Sequence, residues 1–407
     1  MSTALNFSSS VDQSGSVGTG RRPRLVLSAN ATMGIGGQGL NLKHMAEYLA
    51  SAFELELFAQ RSEPAIPSHT VRGSSLARFL WRRPLLRRLR DWSALHQNLA
   101  FDWAVAPQLP AGAALLHCGA GHSLNTLRAA RKLGYRTVLD VTTLHVEDLS
   151  AAMRMSCSEF GIRPPLHRWE IKRIKEEYRE ADLIRVMSQL AAESFYRRGF
   201  SPDRIVVASP PFDVNEFPQA TFNEPVFRVC YVGLLEPWKG FHHLVEAFGR
   251  LDHQPSELVL WGGSGSRPVA SFLARAQHRR GNIIVRPIEI RKAGLAEVYG
   301  RASVLVLPSL ADGFGYVVGE ALASGLPVIT TTTTGACELV EDGKNGFVIN
   351  PGDVTALAER LRWLAEDRDR VRSMGEAAVE TMRKRPSAAT LGSQYCHRIL
   401  QLLNDGG

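Results

Sequence analysis

The chain has 407 residues, of which 44% are apolar and 22% are charged, the ordinary mixture of a globular protein. This composition excludes a disordered, collagen-like or coiled-coil chain, and the length favours two domains of ordinary size. The 48 basic and 40 acidic residues leave a net charge of +8, a mild excess that favours anionic partners without identifying one.

The spacing of the cysteines and the composition of residues 1–22 indicate in which cellular compartment the protein is expected. The 5 cysteines lie far apart and form no C-x-x-C pair, which indicates a reducing, cytoplasmic setting rather than a zinc site or a disulfide scaffold. Residues 1–22 contain six serines and no apolar core, so they predict a disordered leader and not a signal peptide. No apolar run approaches the ~18–20 residues that a membrane span needs.

From Leu25 onward, short apolar strands alternate with amphipathic helices, which is typical of parallel α/β sheets. Residues 209–225 contain four prolines and little periodicity, so they predict a linker between domains at 23–208 and 226–386. The fold expected is α/β: two doubly wound Rossmann-like domains that face a central cleft, with a final helix in 387–407. The predicted strands are 25–29, 55–58, 113–118, 136–141, 183–187, 227–232, 257–261, 282–285, 303–307 and 327–330; the predicted helices are 42–53, 124–133, 168–181, 241–251, 269–279, 316–323, 354–365 and 387–404.

A glycine-rich turn, Gly34-Ile-Gly-Gly-Gln-Gly39, separates the first strand from the first helix. It matches the G-x-G-x-x-G dinucleotide fingerprint, so an oxidoreductase that uses NADP is one hypothesis. Against it, four residues intervene between strand and glycines, and the second strand is followed by Gln60 and Arg61 rather than by an acidic residue. A flexible turn, or a helix N-terminus whose free amides meet a phosphate group, are the other interpretations.

The strongest pattern lies in the segment 308–327, where a buried strand is followed by a glycine loop and a helix. The free amides of residues 313–317 at the helix start favour an anion. Glu320 lies about one turn into the helix, where its carboxylate can accept two hydrogen bonds from a ribose diol. Asp312 precedes the loop and can hold sugar hydroxyls, although a helix cap is the commoner role for such a residue. Together these features fit a nucleotide sugar.

Two further turns follow strands of the same predicted sheet. Gly233 precedes Lys239, which can reach a diphosphate as a point charge, although a solvated surface lysine is the simpler interpretation. Gly263 lies in Trp261-Gly-Gly-Ser-Gly265, a second glycine turn. The carboxyl ends of parallel strands share one edge, so we expect these turns to converge there.

These residues resemble the family 4 retaining glycosyltransferases of GT-B fold, over roughly residues 25–405 and most densely over 226–360. Segment 308–327 is similar to that family's E-x7-E motif, with Asp312 in place of the first glutamate. Lys239 takes the family's lysine position, whereas Leu234 stands where an arginine is usual. The final helix is suited to cross back onto the first domain, as it does in that fold.

The resemblance implies transfer of a sugar from a nucleotide-diphosphate sugar to a glycan, lipid-linked or small-molecule acceptor, in polysaccharide or glycoconjugate synthesis. It implies retained anomeric configuration, no cofactor and no metal, in agreement with the lack of a DxD motif on a glycine-flanked loop. A GT-B-like binding protein without turnover stays open because of Leu234. The donor-binding residues expected are Gly36, Gly37, Gly233, Lys239, Gly263, Gly313, Phe314, Gly315, Tyr316 and Glu320, and the catalytic ones are His145, Asp312 and Glu320.

Three histidines follow predicted strands of the first domain. His145 is the first choice for the histidine that this family places near the transferred sugar, and His122 or His117 is the next. His122 is also expected on the acceptor side. A hydrogen-bonded structural role is at least as common for any one of them. His117, Cys118 and His122 also resemble one corner of a metal site, but further ligands are missing.

The stretch Arg78–Trp92 carries six arginines interleaved with Leu, Phe and Trp. It suits a segment that lies on an anionic membrane surface, and a solvated, partly packed helix pair is an equal alternative. No nucleic-acid motif accompanies it, so no nucleic-acid partner is expected.

Overall fold

The computed structural model describes residues 22–61, 66–71, 90–223, 225–252, 255–287 and 294–404. The predicted leader, except Arg22, and residues 78–89 of the basic stretch lie outside this part of the chain. The membrane-surface role of that stretch therefore stays a prediction. None of the helices in the described ranges is both long and apolar enough to pass through a bilayer.

The first domain is a parallel sheet of seven strands in the order β3-β2-β1-β4-β5-β6-β7. Helices cover it because strands buried on both faces, such as β4 and β6, need apolar partners above and below. The strands are β1 Arg24–Thr32, β2 Glu54–Arg61, β3 Ser68–Thr70, β4 Leu115–Gly119, β5 Arg136–Val141, β6 Leu183–Val186 and β7 Ile205–Val207; the helices are α1 Gly36–Leu49, α2 Arg90–Val105, α3 Leu124–Lys132, α4 Val146–Glu159, α5 Arg168–Glu180 and α6 Gln189–Tyr196.

The second domain is a parallel sheet of six strands in the order β10-β9-β8-β11-β12-β13. The strands are β8 Phe227–Val232, β9 Ser256–Trp261, β10 Ile283–Arg286, β11 Val304–Leu307, β12 Val328–Thr331 and β13 Gly346–Ile349; the helices are α7 Phe241–Gly249, α8 Arg267–Arg279, α9 Leu295–Gly300, α10 Tyr316–Ala323, α11 Val354–Ala365 and α12 Arg368–Arg383. A last helix, α13, covers Ala388–Asn404.

The strand order of each sheet reverses once, between β1 and β4 in the first domain and between β8 and β11 in the second. Ligands of open α/β sheets bind outside the carboxyl ends of the strands at such reversals. The glycine turn 34–39 follows β1, and segments 233–240 and 308–315 follow β8 and β11. The predicted α/β architecture of two doubly wound domains is confirmed. In it, these three segments lie at the two points where the strand order reverses.

The predicted elements agree closely where the pattern is long and regular. Strands β5 and β8 and helices α10 and α11 have the predicted bounds. The pattern missed the edge strands β3, β7 and β13, which have only three or four residues and so show no period. It also missed the helices α2, α4, α6, α9 and α12. Of these, α4 begins at a histidine cap instead of a Ser, Thr, Asp or Asn.

Helix α13 leaves the second domain and packs on α1 of the first. Tyr395, Cys396, Ile399 and Leu402 enter the apolar cluster that contains Leu25 and other core residues of the first domain. The Cys396 thiol lies 2.8 Å from the carbonyl oxygen of Tyr48, in α1. The end of the chain is thus part of the first domain's core.

Replacement of Ile399 by alanine tests this packing. Ile399 is fully buried, so Ile399→Ala should lower the free energy of unfolding by about 2–5 kcal/mol, from lost apolar burial and the cavity left behind. Leu400 on the same helix is 37% exposed, so Leu400→Ala should change it by only about 0.5 kcal/mol. Urea unfolding followed by circular dichroism measures both, and equal losses would contradict the packing of α13.

Candidate active site

The turn that carries Lys239 packs directly on the loop after β11. The amide of Leu310 donates to the carbonyl oxygen of Trp238 at 2.9 Å. Gly240 has φ 70°, and a Cβ there would lie 1.9 Å from the carbonyl oxygen of Pro308. Because only glycine permits this approach, Lys239 is held against the loop, with its Nζ 2.6 Å from Oδ2 of Asp312.

Helix α10 begins immediately after this ion pair. Its N-cap is Gly315, with φ 87° and no side-chain cap. The amide of Val318 already donates to the carbonyl oxygen of Gly315 at 3.0 Å, so the uncapped amides that can meet an anion are those of Tyr316 and Val317.

Asp312 is not the N-cap; its Oδ1 accepts a hydrogen bond of 3.4 Å from the amide of Phe314. Phe314 is buried and stacks on Phe212, a residue of the predicted linker, with ring centres 6.0 Å apart. The structure thus brings Lys239, Asp312 and the start of α10 together.

Glu320 lies one turn further along α10. The hydroxyl of Tyr299 donates to its Oε2 at 2.7 Å, which fixes the orientation of the carboxylate. Burial raises the pKa of Glu320, and the Tyr299 hydrogen bond opposes that rise. Tyr316 begins α10, and its hydroxyl reaches across the cleft to within 3.4 Å of Nδ1 of His44, in α1.

The two other glycine turns of the second domain pair with each other. The amide of Gly233 donates to Trp261 at 3.0 Å, and the amide of Leu235 donates to Gly263 at 3.1 Å. A Cβ at Gly262 would lie 2.2 Å from the carbonyl oxygen of Gly233, so the backbones touch. Gly233 and Gly263 therefore share one edge as predicted. Leu234, which is 55% exposed, directly follows Gly233.

Gly36 and Gly37 form the exposed start of α1. A Cβ at either position would have no described atom within 4 Å, so the turn leaves open space for a ligand. Gly36 has φ 67°, which favours glycine. Gly39 differs, because a Cβ there would lie 2.0 Å from the carbonyl oxygen of Thr32. Gly39 therefore serves the packing of the turn itself.

Gly313 marks the contact between the two domains. A Cβ there would lie 2.4 Å from the carbonyl oxygen of Thr142, in the loop after β5. The carbonyl oxygen of Gly313 accepts a hydrogen bond of 2.7 Å from the hydroxyl of Ser188. The donor loop predicted in the second domain therefore lies against the first-domain strand ends.

A cavity of about 190 Å³ opens at the carboxyl edge of the first sheet. The ends of β1, β4 and β5 and the start of α1 form its walls. The polar side chains in its lining include Gln38, Asn41, His117, His122 and Asp140. Thr142 and Thr143 also line it, so it adjoins the Gly313 contact.

A buried ion pair supports the wall of this cavity. Arg185 is fully buried and donates to Oδ1 of Asp140 at 2.8 Å. Asn41 donates to Oδ2 of the same carboxylate at 2.5 Å, and Arg185 also donates to the carbonyl oxygen of Ala208. The strands β5 and β6, helix α1 and the last residue of the predicted first domain are thus held together. The sequence signal was an arginine inside the apolar strand Leu-Ile-Arg-Val, which the pattern analysis passed over.

Two of the three histidines chosen from the sequence line the cavity, and the third is buried in the core. His122 lines the cavity, and its Nε2 accepts a hydrogen bond of 3.0 Å from the amide of Asn30. His117 also lines it, and its Nε2 lies 2.8 Å from the hydroxyl of Tyr395, in α13. Burial lowers the pKa of both histidines to about 4, so both are neutral at pH 7. The Nε2 atoms of His122 and His117 therefore each already have a partner within the protein.

His145 does not lie where the sequence analysis expected it. It is 2% exposed, is absent from the cavity lining and packs among Tyr178, Phe195 and Phe200. Its Nδ1 caps α4 by accepting a hydrogen bond of 3.3 Å from the amide of Glu147. The chain turns inward after Thr143, so the structure does not bring this residue to the cleft.

Two family models match adjoining parts of the chain. The one described as Glycosyltransferase Family 4 matches residues 35–216, and the one described as Glycosyl transferases group 1 matches residues 213–381. The chain belongs to the family 4 GT-B glycosyltransferases. The glycine turn 34–39 is therefore part of a glycosyltransferase domain and not of an oxidoreductase.

Individual relatives agree with this family. The D-inositol 3-phosphate glycosyltransferase of Corynebacterium glutamicum is 29% identical over 296 residues, 67% of this chain and 70% of the relative. The enzyme of that name from Xylanimonas cellulosilytica is 30% identical over 226 residues, 50% of this chain and 53% of the relative. The chain thus spans between about half and 70% of these two relatives' length.

Solved structures share the fold. The sucrose-phosphate synthase of Thermosynechococcus elongatus has a TM-score of 0.70 and 20% identity, covering 94% of this chain and 100% of that one. Anabaena HepE, solved in complex with UDP and glucose, has a TM-score of 0.65 and 18% identity, covering 93% of this chain and 100% of that one. These likenesses confirm the GT-B fold.

The buried cap at His145 predicts a pH effect on stability. Burial and Arg198 lower its pKa from 6.5 to about 4, so unfolding takes up a proton between those values and the free energy of unfolding falls as pH falls through that range. His145→Asn keeps a capping side chain but cannot titrate. It should flatten that fall by up to about 1.4 kcal/mol per pH unit.

Urea unfolding at a series of pH values between 7 and 4 measures this effect. His145→Ala provides the comparison, because it removes the cap as well and should lose about a further 1 kcal/mol at pH 7. Parallel pH curves for the native protein and His145→Asn would contradict the proton uptake.

Proposed function

We propose that the protein transfers a sugar from a nucleotide-diphosphate sugar to an acceptor hydroxyl with retained anomeric configuration. The observation that carries the proposal is the Lys239–Asp312 pair beside the uncapped start of α10, with Glu320 one turn inside the helix. Helices α1 and α10 approach each other at His44 and Tyr316, and α1 begins with the open turn at Gly36 and Gly37.

Each part of the donor has a chemically suited partner. The diphosphate fits the amides that begin α10, where the helix dipole favours negative charge. The ribose diol fits Glu320, because Tyr299 uses only one of the carboxylate's several acceptor positions. The sugar hydroxyls fit Asp312 and the backbone of residues 313–316, and Gly233 and Gly263 let the neighbouring turns come close. Anabaena HepE was solved with UDP and with UDP-glucose, so a uridine diphosphate sugar is the first donor to test.

The chemistry requires that charge developing on the leaving diphosphate be stabilised. Lys239 has three N–H donors, so it can keep its bond to Asp312 and still contact phosphate. Preorganised amides and a lysine in a cleft act on this charge without reorganising during the reaction. We propose that these groups suffice, so the transfer uses neither a metal nor a cofactor.

We assign the acceptor to the first-domain cavity, with His122 at its wall. The cavity adjoins the Thr142–Gly313 contact, so an acceptor hydroxyl bound in it would lie next to the donor loop. A glycan, lipid-linked or small polyol acceptor fits a lining of amide, imidazole and hydroxyl groups. One group of relatives is named for D-inositol 3-phosphate, which makes phosphorylated polyols a reasonable first panel.

Ligand-dependent melting tests the donor assignment. The panel is UDP, GDP, ADP, several nucleotide sugars, NAD and NADP. One nucleoside diphosphate at 100 times its dissociation constant should stabilise the protein by about 2.7 kcal/mol, whereas NAD and NADP should leave the midpoint unchanged. A shift of the melting midpoint with NADP alone would overturn the proposal, because it would indicate that the turn 34–39 binds a dinucleotide.

Replacement of Glu320 tests its assignment to the donor ribose. Glu320→Gln keeps the side-chain shape but removes charged hydrogen bonds to the ribose, which are worth about 1.5–3 kcal/mol. The value of kcat/KM for the donor, and the affinity for the matching nucleoside diphosphate, should each fall roughly 10- to 100-fold. Glu376→Gln, at an exposed position on α12, is the matched control and should change neither.

A Glu320→Gln variant with native nucleotide affinity would contradict the ribose assignment. Native protein that binds a nucleotide sugar but shows no turnover with any acceptor would favour the non-catalytic alternative.

A further inference from the structure

A second polar cluster lies between the domains, away from the donor residues. Glu159 ends α4 in the first domain, and His242 and His243 lie in the first turn of α7 in the second. One potential ligand atom of each residue lies within 4.8 Å of the other two. The closest pair, Nε2 of His242 and Oε2 of Glu159, is 3.1 Å apart.

The imidazoles of this cluster lack the hydrogen bonds that buried rings normally have. Both ring nitrogens of His242 and Nδ1 of His243 are buried without a hydrogen-bond partner among the described residues. Such groups are rare in native proteins because leaving them unsatisfied is costly. A bound ligand that accepts an imidazole lone pair would satisfy one ring nitrogen of each histidine.

Packing holds the His242 ring in place. It makes perpendicular contact with Phe160, with ring centres 5.2 Å apart, and lies 4.0 Å from the ring of His243. Its Nε2 lies close to Oε2 of Glu159 but without hydrogen-bond geometry, so this contact does not satisfy the ring nitrogen.

We propose that Glu159, His242 and His243 bind a divalent transition metal of the zinc class between the two domains. Two imidazole nitrogens and one carboxylate, with water in the fourth position, form a common zinc set, and imidazole ligands disfavour Mg²⁺ and Ca²⁺. Bonds of about 2.0–2.2 Å in a tetrahedron put ligand atoms roughly 3.3–3.6 Å apart. The Glu159 side chain is 45% exposed, so it is free to make the required adjustment.

The site has an entry path and a structural consequence. A cavity of about 830 Å³, lined by Glu159, His242 and Phe160, opens beside it. Helix α4 also packs against the turn 237–239 that carries Lys239. A metal here would join α4 to α7 and stabilise the observed approach of the domains, although none of its ligands belongs to the proposed donor site.

The experiment uses the full chain without an affinity tag, stripped of metal and kept reduced. Zn²⁺ is titrated in competition with a chromophoric chelator. The native protein should bind one equivalent, and both Glu159→Gln and His243→Ala should weaken binding at least 10-fold. Glu246→Gln, one turn further along α7 on the wall of the same cavity, is the control and should bind as the native protein does.

Two further readouts keep the result interpretable. Co²⁺ in place of Zn²⁺ should give visible bands of nitrogen and oxygen ligation without a thiolate charge-transfer band, which excludes the cysteines. Zn²⁺ should raise the melting midpoint of the native protein and not that of Glu159→Gln, whose exposed side chain makes misfolding a poor explanation. Equal Zn²⁺ affinity in the native protein and Glu159→Gln, or a thiolate band, would overturn the proposal whatever the transferase assays show.

Discussion

The close backbone approach at Gly313 is the constraint on which the arrangement of the cleft depends. Thr142 of the first domain and Gly313 of the second touch at a distance that leaves no room for a Cβ. Gly335 behind it faces the same restriction, since a Cβ there would lie 2.2 Å from the carbonyl oxygen of Gly313 and 2.4 Å from the hydroxyl oxygen of Ser188. Because backbones and not long side chains meet, the strand ends of both sheets come within reach of one bound molecule.

A buried ion pair supports the first-domain side of this contact. Arg185 and Asp140 are buried together, and such a pair is costly unless its remaining hydrogen bonds are satisfied. Asn41 and the carbonyl oxygen of Ala208 supply partners from α1 and from the chain beyond β7, whereas Nε of Arg185 has no partner among the described residues. Removal of either charge would leave the other buried and uncompensated, so the network fixes the relative positions of β5, β6 and α1 at the cavity wall.

The sequence predicts the candidate site best where the residues concerned lie close together along the chain. The loop and helix from Asp312 to Glu320 and the turn to Lys239 are local patterns, so their proximity to strand ends follows from chain order alone. His145 shows the limit of this reasoning. Sequence position places it after β5, but the direction of its side chain depends on the capping of α4 and on the aromatic cluster around it.

Features assembled from distant segments gave weaker signals. Arg185 was visible as a charge inside an apolar strand, but its partners lie 45 and 144 residues away. His44 meets Tyr316 across the cleft, 272 residues away along the chain, and no spacing rule connects them. Glu159 and the two histidines of α7 are likewise brought together only by the packing of one domain on the other.

The departures from the family pattern are best understood together. Leu234 removes a positive charge that the resemblance would place at the diphosphate, and Asp312 is shorter than glutamate by one methylene. The short side chain keeps the carboxylate near the loop amides, where it contacts Phe314 and pairs with Lys239. In the proposed donor complex, Lys239 then meets the diphosphate with its charge partly compensated, so the amides of α10 provide a larger share of the binding.

Fixed amide dipoles in a closed cleft are screened less by salt than an exposed arginine would be. Donor affinity in this protein should therefore depend more on the geometry of one helix end than on the number of basic side chains around it.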